Sequence, residues 1–464
     1  MQAQLVDALR NLNTRYAEIR LERRESTQIV FGGSQLDVVD VTLDYGGFAR
    51  ALSPQGSWGV MTFTGDGDLR ERVLDANRLA GHNRAETPVQ LAPVEPVTAY
   101  IPATMQIDPR TIPLPDKQGL LSEYNELMLR LDPRIETTVA AYFDAIVTTW
   151  YANTDGTYIC QERPLVDLQL TAIARDGDRD RDHDGETVQR GYKSLALAQG
   201  YEAATGRHDL ARAAAQLAID LLAAQPVKGG RYSVVMDPVM AGLFAHEAFG
   251  HLSEADFISE NPQAQEMMTL GRVFGPPNLN IYDDAQVPRL RGSLAYDDEG
   301  VPAQKTWLIR DGVLVGRMHS RETAARMGER PTGNARATSY RYAPQVRMTN
   351  TAIAPSDGGN LQDLIRDVDL GVYAVDWSGG ETTLEDFTFV AKYGYMIRKG
   401  ELAEPVRAIT LTGNVFETLR SIDRIGSDFR WDDSSGDCGK GAEGLPVCDG
   451  GPHIRVRNVL VGGQ

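Results

Sequence analysis

One segment constrains the fold more than any other. RYSVVMD (231–237) runs directly into PVMAGLFAHEAFGHL (238–252). The first stretch reads as a buried strand. Asp237-Pro238 then starts a helix, with Asp at the N-cap and Pro at the first helical position. The helix that follows is mostly apolar, the composition of a helix enclosed by other elements. A strand and a helix of this kind need layers around them, so the domain boundary is placed just before the strand.

The 464 residues are too many for one ordinary core, and two domains are expected. The fold class read from the pattern is α+β. An N-terminal α/β domain with a mixed sheet covers residues 1–230, and a β-rich domain covers 231–464, with the apolar helix at their junction. In the first part, a helix over 1–13 precedes the strand-like runs YAEIRLER, STQIVF, LDVVDVTLDY and WGVMTFT. Helices follow at 68–80 and 118–131, strands at 134–175, then helices at 186–204 and 209–224. In the second part, TWLIRDGVLVGRM and FTFVAKYGYMIRKGEL read as hairpins turning at Asp311-Gly312 and Lys399-Gly400. Short helices are expected at 320–327, 360–366 and 415–423. The last run, HIRVRNVLVGG, alternates like an edge strand.

The net charge of -17 disfavours contact with phosphate backbones and anionic lipid, so neither a nucleic acid nor a membrane is an expected partner. No apolar stretch approaches the length of a bilayer span. The start, MQAQLVDALRNLN, lacks the cationic and apolar regions of a secretory leader. Three cysteines, Cys160, Cys438 and Cys448, do not make a disulfide framework. The expected compartment is a reducing cytoplasm, where a functional thiol is a ligand or a nucleophile.

The chemistry lies in His246-Glu247-Ala248-Phe249-Gly250-His251. Only seven histidines occur in the chain, and two of them flank a Glu in an apolar helix. Imidazole is a good zinc ligand, and a carboxylate beside the first His is placed to take a proton from a metal-activated water. The spacing is one residue longer than H-E-x-x-H. In a regular α-helix, residues four apart return to within about 40° of each other, whereas five apart diverge by about 140°. Both His can face one metal only if the helix widens into a π-type turn or ends near Gly250. A local break is predicted there.

A catalytic zinc needs a third protein ligand. Glu254, Asp256, His453, Cys438 and Cys448 are the candidates, and chemistry alone does not rank them. Cys438 sits in DCGK, where Gly permits close approach and Lys440 can favour a thiolate. Glu254 and Asp256 also suit a role orienting a ligand His. Asp180, Asp182, Asp184 and Gly185 fit half of a calcium loop, but its twelfth position is Gly191, so 176–186 is read as a solvated hairpin tip. No phosphate loop or G-x-S-x-G elbow is present.

The sequence resembles the TldD/PmbA peptidases over most of its length. The likeness rests on HEAFGH with LSEAD, YDDEGVPAQKTWLIRDGVLVGRM, TGNARATSY, VRMTNTAI, FTFVAKYGYMIRKGE, VRAITLTGN, DCGKG and the VLVGG tail. The H-E-x-x-x-H helix resembles that of the catalytic TldD type, which PmbA (TldE) members lack. The resemblance implies zinc held by His246, His251 and Cys438, with Glu247 as the catalytic carboxylate. It gives Cys448 no role, and CGKGAEG departs from the family's C-G-K-x-G-Q. It further implies hydrolysis of unfolded or modified peptides bound as an added β-strand. The implied assembly is a dimer, either a homodimer or a heterodimer with a PmbA/TldE-like subunit. A metal-dependent amidase acting on a peptide-like small molecule, and a non-catalytic regulator working by protein–protein contact, are the other readings.

Overall fold

The computed structural model describes all residues except 66, 83–84, 177–186, 384, 442 and 463–464. The hairpin tip and the half calcium loop expected near 176–186 therefore lie outside the described residues.

The N-terminal half is one mixed seven-stranded sheet dressed by helices. Its elements are α1 (Gln2–Ala8), β1 (Tyr16–Gly32), β2 (Gln35–Leu52), β3 (Trp58–Thr64), α2 (Leu69–His82), β4 (Thr98–Ile101), α3 (Leu114–Leu131), β5 (Ile135–Asn153), β6 (Tyr158–Asp176), β7 (Thr187–Leu197) and α4 (His208–Ala223). The order is β3-β2-β1-β5-β6, and the far side of β6 carries both β4, in parallel, and β7, antiparallel. α3 and α4 bury Leu121, Tyr124 and Ala214 against Ile29, Tyr142 and Leu170 of the sheet. α1 and α2 form a second cluster, with Leu5 and Val73 against Ile19 and Leu21.

Three expectations are corrected here. The first helix is shorter than 1–13. YAEIRLER and STQIVF are one strand rather than two. Residues 187–197 form β7, not a helix, and the cause is tertiary. The long β6 offers an unpaired edge from Val166 to Asp176 that this segment fills. Helix α4 also packs so closely that a Cβ on Gly191 would lie 2.0 Å from the Ala214 carbonyl oxygen. A side chain there would push the helix away.

The C-terminal half begins with β8 (Gln225–Pro226), β9 (Gly230–Met236) and α5 (Pro238–Ala245). Strand β9 lies between Leu370–Thr383, in parallel, and Ile454–Gly462, antiparallel. The latter pairs with Ile409–Asn414, which pairs with Asp386–Arg398, which returns to Leu370–Thr383. Five strands thus close into a ring. The terminal strand expected at an edge is inside this ring, because its alternation reflects two differently buried faces rather than a free side.

A second sheet of six strands includes Ile281–Asp284, Asn350–Ile353 and Cys448–Gly451. Helix α5 is held between the two sheets, and all eight of its residues are buried. Phe244 stands edge-on to Phe387 and Phe389 at 5.9 and 6.1 Å. That enclosure explains its unbroken apolar sequence. Both hairpins form where expected, with Asp311, Gly312, Lys399 and Gly400 at positive φ. Buried Arg50 ties the halves together, pairing with Glu18 at 2.6 Å and Glu299 at 2.7 Å. Among the described residues, no helix is long and apolar enough to cross a membrane.

Candidate metal centre

The site starts at the cap of α5. The Asp237 carboxylate accepts the Met240 amide at 2.9 Å, and Pro238 occupies the first turn. The helix is regular to Ala245 and then widens. Over His246–Gly250 it makes a π-type turn, in which the His251 amide donates to the His246 carbonyl, and a 3₁₀ turn follows over His251–Ser253. The wider turn brings the two imidazoles onto one side, with ring centres 5.0 Å apart. Gly250 serves this turn differently from the expectation. Its φ of -57° is ordinary helix, so no backbone freedom is used. Instead a Cβ would fall 2.1 Å from the Met348 sulfur.

The third group arrives from the far end of the chain. Asp437–Lys440 pairs with Glu443–Pro446 in a small hairpin. Arg291 holds it by donating to the Gly436 carbonyl at 2.7 Å and to Asp437 Oδ1 at 2.6 Å. The guanidinium of Arg347 donates to the carbonyl of Cys438. So fixed, Cys438 Sγ lies 3.4 Å from His251 Nε2. One ligand atom each from His246, His251 and Cys438 all fall within 4.8 Å of one another.

Carboxylates brace both imidazoles. His246 Nδ1 is 2.8 Å from Asp449 Oδ1, and His251 Nδ1 is 3.4 Å from Glu254 Oε2. A carboxylate at Nδ1 fixes the ring and makes Nε2 the nitrogen that a metal would take. Lys440 Nζ in turn contacts Glu254 Oε2 at 2.9 Å, both Asp256 oxygens at 2.8 Å and the Val346 carbonyl at 2.9 Å.

The electrostatics follow from this packing. Burial would push the Cys438 thiol up, but the His246 and His251 imidazoles outweigh it and hold it down at about 5. The thiolate is thus favoured by its imidazole neighbours, whereas Lys440, expected to do this, is committed to Glu254 and Asp256. Burial opposes charge on His251 too, yet its contacts with Cys438 and Glu254 raise it to about 9. Burial pushes the Glu247 carboxyl up, and the two imidazoles only partly offset this. Two imidazoles and a thiolate form a donor set able to hold a transition metal, while calcium or magnesium would require oxygen ligands.

His246, Glu247, His251 and Cys438 line one cavity of about 470 Å³. Its lining also includes Trp377 and Gly379–Thr382. Along this stretch, one edge of Leu370–Thr383 pairs with Asp386–Arg398. The other edge pairs with β9 only at Gly371–Ala374, so among the described residues no strand covers it beyond that point. Of the other expected ligands, Glu254 and Asp256 act through His251 and Lys440. His453 lies apart, between Asp428 at 2.7 Å and Tyr373 at 2.9 Å. Cys448 is outside the three-residue cluster. Sequence reasoning missed its neighbour Asp449. The available signal was the Gly-Gly after it: a Cβ on Gly242 of α5 would lie 2.6 Å from the Gly450 nitrogen, so helix and strand touch backbone to backbone.

Residues 229–463 match the PmbA/TldA metallopeptidase C-terminal domain, and residues 107–222 match the central domain of the same proteins. A metalloprotease of Synechocystis sp. is 44% identical over 454 residues, covering 97% of this chain and 95% of that one. A zinc metalloprotease TldD homolog of Saccharolobus solfataricus is 35% identical over 338 residues, covering 72% of this chain and 73% of the other. TldE from Thermococcus kodakarensis has the same fold, with a TM-score of 0.76 at 18% identity over 100% of both chains. The matched domains and the identity to full-length relatives lead to one conclusion: this chain belongs to the PmbA/TldD family of metallopeptidases.

Proposed function

We propose that the protein is a zinc-dependent peptidase acting on unfolded or modified peptides, with His246, His251 and Cys438 as metal ligands and Glu247 as general base. The observation that carries this reading is the meeting of two braced imidazoles and a thiol within 4.8 Å, beside a carboxyl raised by burial. Tetrahedral zinc accepts such N/S ligands and keeps a position for water. When bound, zinc supplies an activated water and polarises the scissile carbonyl.

The chain's own residues do the rest. The free edge along Trp377–Thr382 receives the peptide backbone as an added strand, which favours extended and therefore unfolded substrates. Glu247 takes a proton from the attacking water and returns it to the leaving amine, a task suited to a carboxyl tuned upward. Asp449 and Glu254 keep the imidazoles aimed. The assembly we propose is a dimer, either with a second copy or with a TldE-like subunit. The three cysteines are free, in keeping with a reducing cytoplasm.

The test is Glu247→Ala. It should keep zinc at the wild-type stoichiometry and lose cleavage of an unfolded peptide by about 10²–10⁴-fold. Full cleavage by this variant would end the proposal.

A further inference from the structure

A second cavity, of about 400 Å³, adjoins the metal cavity and shares Trp377 and Ser434 with it. Its wall comes from both halves of the chain: Arg190 and Tyr192 of β7, Leu217 of α4, and Trp377 and Lys392 from the ring of strands. The two cavities differ in their charged side chains. The first is lined by Glu247, Glu381, Asp432, Asp437 and Asp449. In the second, Asp376 is, among the described residues, the only carboxylate paired with the local lysines, and it serves two: Lys392 at 2.9 Å and Lys193 at 3.2 Å. Among the described residues Arg190 has no carboxylate partner. Its guanidinium donates to Thr171 Oγ1 at 3.3 Å and sits 5.1 Å from the Tyr192 ring centre. A chain of net charge -17 thus places two basic side chains, Arg190 and Lys392, in a cavity next to its candidate metal centre, with Asp167 accepting from Ser435 on its wall.

We propose that this cavity is a substrate subsite for a carboxylate, supplied either by the peptide's C-terminus or by an acidic side chain. The inference rests on the peptidase reading above. A peptide added along Trp377–Thr382 passes Trp377, which with Ser434 is common to both cavities, so one end of it reaches the wall formed by Arg190 and Lys392. Arg190 offers a planar fork that matches a carboxylate, and Lys392 adds a second donor from the inner side. Tyr192, Trp377 and Leu217 give the aliphatic part of the ligand an apolar surface.

The experiment uses the full chain with Glu247→Ala, loaded with zinc, so that bound peptide stays intact. A fluorescein-labelled peptide of neutral residues is titrated in four forms: free C-terminal acid, C-terminal amide, amide containing one Glu, and amide with Gln in its place. Either the free acid or the Glu form should bind about tenfold more tightly than its neutral counterpart, the equivalent of one charge-assisted contact. Which of them does so identifies the source of the carboxylate. Arg190→Gln and Lys392→Gln should each remove that preference while leaving the neutral amide unchanged. Arg190 is exposed, so its replacement does not threaten folding. Equal binding of all four forms, or an equal loss for neutral and acidic peptides in the variants, overturns the subsite alone. If no form binds and wild type cleaves none, the peptidase reading fails and the subsite with it.

Discussion

Cys438 and Cys448 lie on short strands of two different sheets and are buried alike, at 4% and 3% exposure. Their thiols are driven in opposite directions. Burial dominates at Cys448 and pushes its thiol up to about 12, against backbone hydrogen bonds from Arg291 and Gly292. At Cys438 two imidazoles overcome the same penalty and hold the thiol at about 5. Desolvation disfavours any buried thiolate, and only a nearby positive charge or a metal reverses it. What separates the proposed ligand from the other buried thiol is the company of His246 and His251, rather than depth or the local motif.

The largest test of that contrast is to make the same change at both positions. Cys438→Ser should weaken zinc binding by more than the 10–100-fold expected from losing a mere supporting group, and cleavage should vanish with the metal. Cys448→Ser should retain stoichiometric metal. Metal content after gel filtration, measured on both variants, decides the matter; equal losses would abolish the distinction. Next in size is Asp449→Ala, which frees the His246 ring from its carboxylate. Zinc affinity should drop about 10–100-fold, read by chelator competition, while the folded content stays unchanged. An unaltered affinity would mean that packing alone aims this imidazole.

Much of the centre was legible because the residues conflict with a regular structure. The five-residue spacing of His246 and His251 cannot serve one ion from an α-helix, and a π-type turn is found there. The hairpins were legible because Asp311-Gly312 and Lys399-Gly400 tolerate the backbone that tight turns require. Asp449 was not, because consecutive strand residues point to opposite faces, and nothing local to Cys448-Asp449 says which of the two side chains meets His246. Strand β7 was hidden for another reason. Its conformation is dictated by the open edge of β6 and by α4 pressing on Gly191, and neither is local to its sequence. The terminal strand shows the same limit, since alternation reports faces and not neighbours.

Two smaller effects sharpen the comparison between the strands. Gly242→Ala puts a methyl group against the backbone of Gly450, and overpacking of this kind costs about 1–3 kcal/mol. The strand can yield only by moving Asp449 away from His246, so a fall in zinc affinity should accompany the lower unfolding midpoint. A stability loss with unchanged affinity would show that α5 gives way instead. Cys448→Ala is the mildest change. If this thiol only fills space beside Arg291 and Gly292, its removal should cost about 1 kcal/mol, the usual size for losing a small buried group. Zinc affinity should be that of wild type, because no part of the three-residue cluster has been touched. Denaturant midpoints and chelator competition on one preparation separate the two quantities. A loss of metal comparable to that of Cys438→Ser would make Cys448 a ligand and remove the imidazoles as the feature that tells the cysteines apart.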